Sequence, residues 1–198
     1  AYYLIKQYRM AYNLFAVNGI LFNHESPRRG ENFVTRKISR GISKILKGSQ
    51  NHIALGNLNA SRDWGHAKEY VIAMYLMMQQ DTPEDYVIAT GNSVTVREFI
   101  KYCFNSIGIE LEFSGAGVKE IGIVHKINKN IISGLKNKII HFPKKGDILI
   151  RVDLKLFRPL EVESLTGNSI KAKNNLGWIA KTSIQDLAKE MVEHDLIN

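Results

Sequence analysis

The chain has 198 residues, of which 44% are hydrophobic and 23% charged, the proportions of a soluble globular protein with one large domain or two small ones. A net charge of +8 favours anionic partners, namely nucleic acid, anionic membranes or phosphorylated small molecules. No apolar run approaches the roughly 20 residues of a membrane helix. The lone Cys103 excludes an internal disulfide and a multi-cysteine metal site, which fits a cytoplasmic protein.

The first half of the chain alternates predicted helices with short predicted strands. Near the start, apolar residues recur at three- and four-residue spacing, as on one face of a helix. The predicted strands are short apolar runs beside turn-forming residues such as Asn18-Gly19. In order, the predicted elements are helix 1–16, strand 17–22, helix 33–48, strand 53–57 and helix 67–79. In the last helix we expect Tyr70, Met74, Met77 and Met78 to pack inward.

The second half continues this alternation, which predicts the α/β class for the whole chain. Thr95 and Glu98 have the spacing of a capping box at a helix start. In order, the predicted elements are strand 85–91, a helix from Thr95 to about residue 107, strand 109–113, strand 148–152, helix 169–176 and a final helix to about residue 196. Residues 114–149 are rich in Gly, Lys and Ile without interleaved aromatic residues, which predicts a solvated insertion and not a nucleic-acid surface.

Three short clusters place arginine beside carboxylate, amide or imidazole groups in predicted loops or element ends. They are residues 22–30 (FNHESPRRG), 61–66 (SRDWGH) and 157–163 (FRPLEVE). The planar guanidinium group is suited to bidentate contact with phosphates and carboxylates. The three clusters therefore predict a polyanionic ligand. The other histidines lack ligand spacing, so no metal site is predicted: His52, His125, His141 and His194.

These clusters resemble the C-terminal part of the GDP-mannose 4,6-dehydratase family, within the extended short-chain dehydrogenases/reductases. In chain order the similarity covers residues 11–30, 33–38, 55–58, 62–68, 157–162 and 171–178. The segment 23–30 is the most specific part, because related nucleotide-sugar enzymes also carry Arg-Asp-Trp. The resemblance implies an enzyme that converts GDP-mannose to GDP-4-keto-6-deoxy-mannose with NADP, and that forms dimers or tetramers.

The resemblance also implies a domain organisation. Residues 1–30 would be the end of an NADP-binding Rossmann-type domain, and residues 31–198 mainly a smaller α/β domain that binds the GDP-sugar. Residues 85–107 are expected to return to the parallel Rossmann sheet. Residues 114–149 would be a variable insertion.

Individual side chains take their expected roles from the same resemblance. His24 and Arg29 are the implied NADP contacts, at the carboxyl end of strand 17–22, where open α/β sheets bind ligands. The implied GDP-sugar contacts are Asn23, Val34, Lys37, Arg62, Arg158 and Glu161.

The residues alone leave alternatives open at several of these positions. His24 is equally well a helix-capping histidine, and the pair Arg158 and Glu161 is equally well a surface salt bridge. Three further residues are expected to form the turn and packing that aim Arg62: Asp63, Trp64 and His66. Trp178, after a glycine helix stop, is expected in the core.

Two features of the family are absent from the sequence: the glycine-rich phosphate loop and the catalytic Tyr-x-x-x-Lys pair. Tyr2 and Lys6 have the right spacing, but by the family's pattern the true pair precedes this helix, upstream of residue 1. We therefore assign no catalytic residue in this chain and expect it to be inactive alone.

Other functions stay open. One is a related nucleotide-sugar epimerase or reductase, against which segment 23–30 argues; another is a non-catalytic nucleotide-binding remnant. A basic RNA-binding protein is the third, and it predicts salt-sensitive polynucleotide binding that free GDP does not displace. Strands 17–22 and 85–91 would expose their edges without neighbouring strands, so the isolated chain is expected to aggregate or unfold easily.

Overall fold

Helices and short strands alternate along the chain, so the predicted α/β class is confirmed. The structure is a computed structural model that describes residues 1–128, 130–131, 140–157 and 162–197. The chain divides into two units. Unit 1 consists of Ala1–Glu25, Arg62–Ser93 and Leu165–Thr182, and unit 2 of Ser26–Ser61, Val94–Ser164 and Ser183–Asn198.

Each predicted element has an observed counterpart of the same type with shifted ends, but five strands observed in the described part of the chain were not predicted: Asn23–Glu25, Ser61–His66, Ser93–Thr95, Ile121–Ile127 and Ser164–Leu165. The helices are α1 (Tyr2–Tyr12), α2 (Val34–Leu46), α3 (Ala67–Met78), α4 (Val96–Ser106), α5 (Ile170–Leu176) and α6 (Ile184–Ile197). The strands are β1 (Gly19–Leu21), β2 (Asn23–Glu25), β3 (Ile53–Leu55), β4 (Ser61–His66), β5 (Tyr86–Ile88), β6 (Ser93–Thr95), β7 (Ile109–Ser114), β8 (Ile121–Ile127), β9 (Ile148–Val152) and β10 (Ser164–Leu165). Among the described residues no helix combines the length and apolar character needed to cross a membrane.

Local sequence signals correctly predicted the start of α4 and the end of α5. The capping box at α4 is confirmed, since the Glu98 amide donates to Thr95 Oγ1 and the Thr95 amide donates to Glu98 Oε2. Gly177 ends α5 with a left-handed φ of 65°. The first helix ends earlier than predicted because Asn13 adopts the left-handed conformation, at φ 50°.

Unit 1 contains two pairs of parallel strands over one apolar core. In the first pair Gly19 of β1 lies opposite Tyr86 of β5, and in the second His24 of β2 lies opposite Gly65 of β4. The buried core residues come from α3, β5, α5 and the loop after α5: Tyr70, Ala73, Met77, Tyr86, Ile88, Ala172 and Trp178. The predicted core position of Trp178 is therefore confirmed.

The inward packing predicted for the α3 methionines is only half right. Tyr70 and Met77 are buried, but Met74 and Met78 are 37% and 52% exposed. The core-facing stripe of α3 runs through Tyr70, Ala73 and Met77, at three- and four-residue spacing. Met74 and Met78 fall on the adjoining stripe, which the core of unit 1 does not cover.

An ion pair joins α1 to the start of β5. The Arg9 guanidinium contacts the Asp85 carboxylate, and Arg9 Nε also donates to the Ala16 carbonyl. Asp85 accepts two more hydrogen bonds, from the amide and the side chain of Asn18, each 3.0 Å long. Burial opposes ionisation of Asp85, but the bonds from Arg9 and Asn18 outweigh it and lower the pKa of the carboxyl group.

Unit 2 is a four-stranded mixed sheet packed with three helices. The strand order is β3-β9-β8-β7, with β3 and β9 parallel and the other neighbours antiparallel. The strand β8 lies inside the segment 114–149, where the sequence assigned no element before residue 148. Gly122 and Val124 of this strand are buried, whereas Ile121, Ile123 and Ile127 are partly buried.

A buried polar cluster fixes the C-terminal helix of unit 2 against α2. The Asp195 carboxylate pairs with the Arg36 guanidinium and accepts a 2.6 Å hydrogen bond from Ser39 Oγ. Ser43 Oγ donates to the Asp195 carbonyl oxygen over 2.6 Å. The buried Asp195 carboxylate and both serine hydroxyl groups thus have partners within the protein, as buried polar groups generally do.

Unit 1 leaves much apolar surface exposed. In α1 no residue is buried, and Tyr3 and Met10 are 77% and 76% exposed. On α3 the exposed stripe includes Val71, Ile72 and Tyr75. Exposed apolar patches larger than a few hundred Å² are unusual on monomeric proteins and mark association surfaces.

Replacement of Asp85 by Asn should lower the free energy of unfolding by about 1–2 kcal/mol at pH 7, since charge-assisted hydrogen bonds are lost. Because the pKa of Asp85 is lowered in the folded chain, its stabilisation is complete above the ordinary value of 3.8. It is lost as the pH falls through the lower folded-state value. Urea denaturation at several pH values measures both effects. Exposed Asp81→Asn is the matched control, and equal losses in the two variants would contradict the account.

The exposed apolar surface of unit 1 should make the 198-residue chain self-associate as its concentration rises. The triple substitution Tyr3→Glu, Met10→Glu and Tyr75→Glu should shift the chain towards monomer, as measured by light scattering after size exclusion. Ile140→Glu in unit 2, where the side chain is 80% exposed, is the control. A wild-type chain that stays monomeric and melts sharply and reversibly would contradict this prediction.

Candidate functional site

In unit 1 the candidate site residues Asn23 and His24 form β2, directly after β1. The His24 imidazole is half-buried and its Nδ1 donates to the Phe22 carbonyl oxygen over 2.9 Å. Since a carbonyl oxygen only accepts, this bond requires a proton on Nδ1 and leaves Nε2 of the neutral ring as an acceptor. The ring stacks on Tyr70, with centroids 5.1 Å apart and planes inclined by 27°.

The helix-capping role considered for His24 belongs instead to His66. His66 precedes α3, and its Nδ1 accepts a 3.1 Å hydrogen bond from the Lys68 amide. It is buried, as is Trp64 in the same strand. Both residues therefore have the packing roles that the sequence predicted for them.

Asp63 is the polar centre of unit 1. Its carboxylate is 1% exposed and accepts hydrogen bonds from the Thr90 amide, Thr90 Oγ1, the Gly91 amide and the Gly167 amide, over 2.7 to 3.2 Å. Two loops far apart in sequence are thus fixed beside β4. The predicted turn at Asp63 is wrong, because Asp63 lies within strand β4 and fixes loops from other parts of the chain; half-buried Arg62 precedes it in the same strand.

Two glycines allow this close packing of the loops. A Cβ on Gly167 would lie 2.2 Å from Ala89 Cβ, and Gly91 has a φ of +82° that disfavours other residues. The loop after β5 and the loop before α5 line a concave surface with Lys173 and Trp178.

In unit 2 the arginine cluster continues as a turn that presents Arg28 and Arg29. The Arg28 amide donates to Ser26 Oγ over 3.1 Å, and the Arg29 amide donates to the Ser26 carbonyl over 3.0 Å. The Arg29 guanidinium lies over the Phe33 ring, 3.5 Å from its centroid. This cation–π contact orients Arg29, whereas Arg28 is exposed.

The first turn of α2 carries Val34 and Lys37. Its N-cap residue, Phe33, has no side-chain oxygen to accept from the first amides, so it makes no capping hydrogen bond. An uncapped helix start with the positive end of the helix dipole favours an anion or a carbonyl oxygen. Lys37, the fourth residue of α2, is half-buried.

Lys37 is held in an environment that disfavours its charge. Burial lowers the pKa of its ammonium group, and the Asp153 carboxylate only partly opposes that effect. An anionic ligand next to Lys37 would relieve this cost, because it stabilises the charged form.

The structure places the predicted site residues in both units. Asn23, His24 and Arg62 belong to unit 1, and Arg29, Val34 and Lys37 to unit 2. Arg158 and Glu161 lie outside the described residues. The described part of the chain contains no group of three His, Cys, Asp or Glu side chains arranged to hold a metal ion.

Sequence reasoning missed two residues of the site. Tyr70 was assigned only to the core, although it stacks on His24, and Asp153 was not considered beside Lys37. The sequence gives no local signal for Tyr70, because Gly65, which makes room for it, lies opposite His24 only through the β2–β4 register. Nothing in the sequence pattern places Asp153 near Lys37.

Solved structures with low sequence identity to this chain share its fold. RMD from Pseudomonas aeruginosa, solved in complex with NADPH, superposes with a TM-score of 0.71 at 15% identity, over 99% of this chain and 53% of that one. A dTDP-glucose 4,6-dehydratase from Bacillus anthracis, solved with NAD, superposes with a TM-score of 0.69 at 17% identity, over 99% of this chain and 49% of that one.

Sequence comparison then identifies the family. The profile described as GDP-mannose 4,6 dehydratase matches residues 1–191, so the chain belongs to the GDP-mannose 4,6-dehydratase family. It is 50% identical to the GDP-mannose 4,6-dehydratase of Yersinia enterocolitica over 99% of this chain and 50% of that protein. The human GDP-mannose 4,6 dehydratase is 48% identical, over 99% of this chain and 48% of that protein. The chain thus spans about half the length of the curated relatives it matches.

The buried Asp63 carboxylate should be far more important for stability than an exposed one. Asp63→Asn places an amide group among donors and is expected to lower the free energy of unfolding by about 2–4 kcal/mol. Glu84→Gln removes the exposed partner of Lys171 and should cost at most about 1 kcal/mol. Urea denaturation followed by tryptophan fluorescence measures both. Similar losses in the two variants would show that Asp63 does not organise unit 1.

Proposed function

We propose that the chain supplies the nucleotide-sugar-binding part of a GDP-mannose 4,6-dehydratase, a lyase that converts GDP-mannose to GDP-4-keto-6-deoxy-mannose. Family membership supports the reaction class. The observation that carries the binding role is the uncapped first turn of α2, next to a lysine whose charge is poorly compensated. In this proposal the chain works in the cytoplasm, as part of a homo-oligomer.

The cofactor of the proposed reaction is NADP, which when bound would supply the reversible hydride transfer. The residues present fit such a group. His24 offers Nε2 as an acceptor, because Nδ1 is held by the Phe22 carbonyl. Arg29 offers a guanidinium group, oriented by Phe33, for a phosphate. The relatives solved with NADPH and NAD support a nicotinamide cofactor.

The proposed contacts to the GDP-sugar are those that the family resemblance implies, considered separately for each unit. In unit 2 the Val34 backbone and Lys37 would bind an anionic or carbonyl group. In unit 1 Asn23 and Arg62 would bind the sugar and the diphosphate. Arg158 and Glu161 complete the proposed set, as contacts to the diphosphate and to ribose hydroxyl groups.

Contacts with the remote GDP group would orient the sugar for reaction. We assign no proton-transfer or hydride-transfer step to a residue of this chain. The second candidate function is nucleotide binding without turnover, which the uncapped first turn of α2 and the neighbouring Lys37 would support equally well.

Incubation with GDP-mannose and NADP, followed by chromatography of the nucleotide sugars, separates the two functions. Appearance of a 4-keto-6-deoxy product would support the dehydratase. Absence of product together with protection by GDP against thermal unfolding would support a binding part only. Absence of both would contradict the proposal.

Substitution of Lys37 by Gln should weaken GDP binding about 10-fold or more, since charge-assisted hydrogen bonds contribute about 1.5–3 kcal/mol. Burial lowers the pKa of Lys37 from 10.5, so GDP affinity should fall as the pH rises through that lowered value. The variant should lack this component of the pH dependence. Calorimetric titration measures both effects.

Lys44→Gln, at an exposed position of the same helix, is the matched control and should leave GDP affinity unchanged within about 2-fold. Equal affinity of the Lys37 variant and the wild type would remove Lys37 from the proposed site.

A further inference from the structure

We propose that Tyr70 is a positioning residue for His24, whose ring holds the imidazole in the Nδ1-protonated form that presents Nε2 to the cofactor. The inference deepens the proposed function and rests on the cofactor role given there to His24. All the groups involved belong to unit 1.

Tyr70 forms the middle of an aromatic column. On one side its ring stacks on His24 at 5.1 Å, and on the other Trp178 meets it edge-on, with centroids 5.8 Å apart and planes at 86°. Trp178 is itself fixed, because its Nε1 donates to the Glu69 carbonyl over 2.8 Å. Tyr70 is fully buried. The column therefore gives His24 a rigid support on one face.

Gly65 provides the space that Tyr70 occupies. It lies directly opposite His24 in the β2–β4 register, where a side chain would ordinarily pack beside the imidazole. A Cβ at position 65 would lie 2.4 Å from Tyr70 Cε2 and 2.9 Å from Tyr70 Oη. The glycine of the 61–66 cluster is thus required by the ring of Tyr70.

The ring, and not the hydroxyl, carries the interaction. Tyr70 Oη is buried without a hydrogen-bond partner among the described residues. Burial raises the pKa of Tyr70 strongly, with smaller contributions from Asp63, Glu69 and Glu25, so the phenol is neutral. A buried unpaired hydroxyl is unfavourable, so loss of this oxygen should leave His24 in place and the fold at least as stable.

The two elements that fix His24 act on different parts of its ring. The Phe22 carbonyl binds Nδ1 and selects the tautomer, while the Tyr70 ring restrains the plane of the imidazole. If the stacking is lost, the imidazole can rotate away from the carbonyl, and the tautomer is no longer selected.

The test uses the full 198-residue chain. Nitrogen-15 NMR at pH 8, with the His24 signals assigned by their loss in His24→Gln, reports the protonated nitrogen. Tyr70→Phe should keep the Nδ1-protonated form, whereas Tyr70→Met should give a mixture of tautomers. NADP affinity should stay within about 2-fold in the Phe variant and fall about 3- to 10-fold in the Met variant, the range expected for loss of one aromatic pair. GDP affinity should be unchanged in both.

Gly65→Ala provides a second test in case Tyr70→Met does not fold. Its methyl group must displace the Tyr70 ring, so it should also mix the tautomers. An unchanged His24 tautomer in a folded Tyr70→Met or Gly65→Ala chain would overturn the positioning role. Unchanged NADP affinity in His24→Gln would instead overturn the cofactor role of His24, and with it the proposed function of this residue, whatever the tautomer.

Discussion

The Asp63 carboxylate is the interaction on which the site-bearing part of unit 1 depends. It accepts four hydrogen bonds from Thr90, Gly91 and Gly167, which satisfies a buried charge and fixes two loops beside β4. The same strand supplies Gly65 next to β2, and β2 carries Asn23 and His24. The 61–66 cluster, in which Arg62 suggests a phosphate contact, thus also contains the buried acceptor Asp63 and the glycine Gly65, which organise β4 and its neighbour β2.

In unit 2 the charges of two neighbouring basic residues of α2, Arg36 and Lys37, are compensated to different degrees. Arg36 is buried and paired with Asp195, so its charge holds α2 to α6. Lys37, the next residue, is half-buried, and burial lowers its pKa despite the nearby Asp153 carboxylate. A buried charge that is paired with an opposite charge holds the helix in place. A charge at a helix start that is only partly neutralised by its neighbours favours the binding of an anion. The rigid helix therefore presents a lysine and a turn of uncapped backbone together, which suits a nucleotide phosphate or a base carbonyl.

Sequence patterns predicted what depends on local structure and missed what depends on tertiary contacts. The Thr95–Glu98 capping box and the Gly177 helix stop follow from backbone geometry, so they could be predicted. The exposure of Met74 and Met78 depends on how α3 is rotated over the core, and the apolar spacing alone does not fix that rotation. The candidate site residues were predicted from the residue types in the three clusters. The stacking of Tyr70 on His24, in contrast, depends on packing between α3 and β2, which no local pattern encodes.

Hydrogen–deuterium exchange of the full chain, with and without saturating GDP, tests the central claim most directly, because it reports binding amide by amide. The account predicts that GDP slows exchange at residues 34–36, the uncapped first turn of α2, and that this slowing is lost in Lys37→Gln but kept in Lys44→Gln. Exchange at 34–36 that is the same with and without bound GDP would contradict the claim that this turn binds the nucleotide.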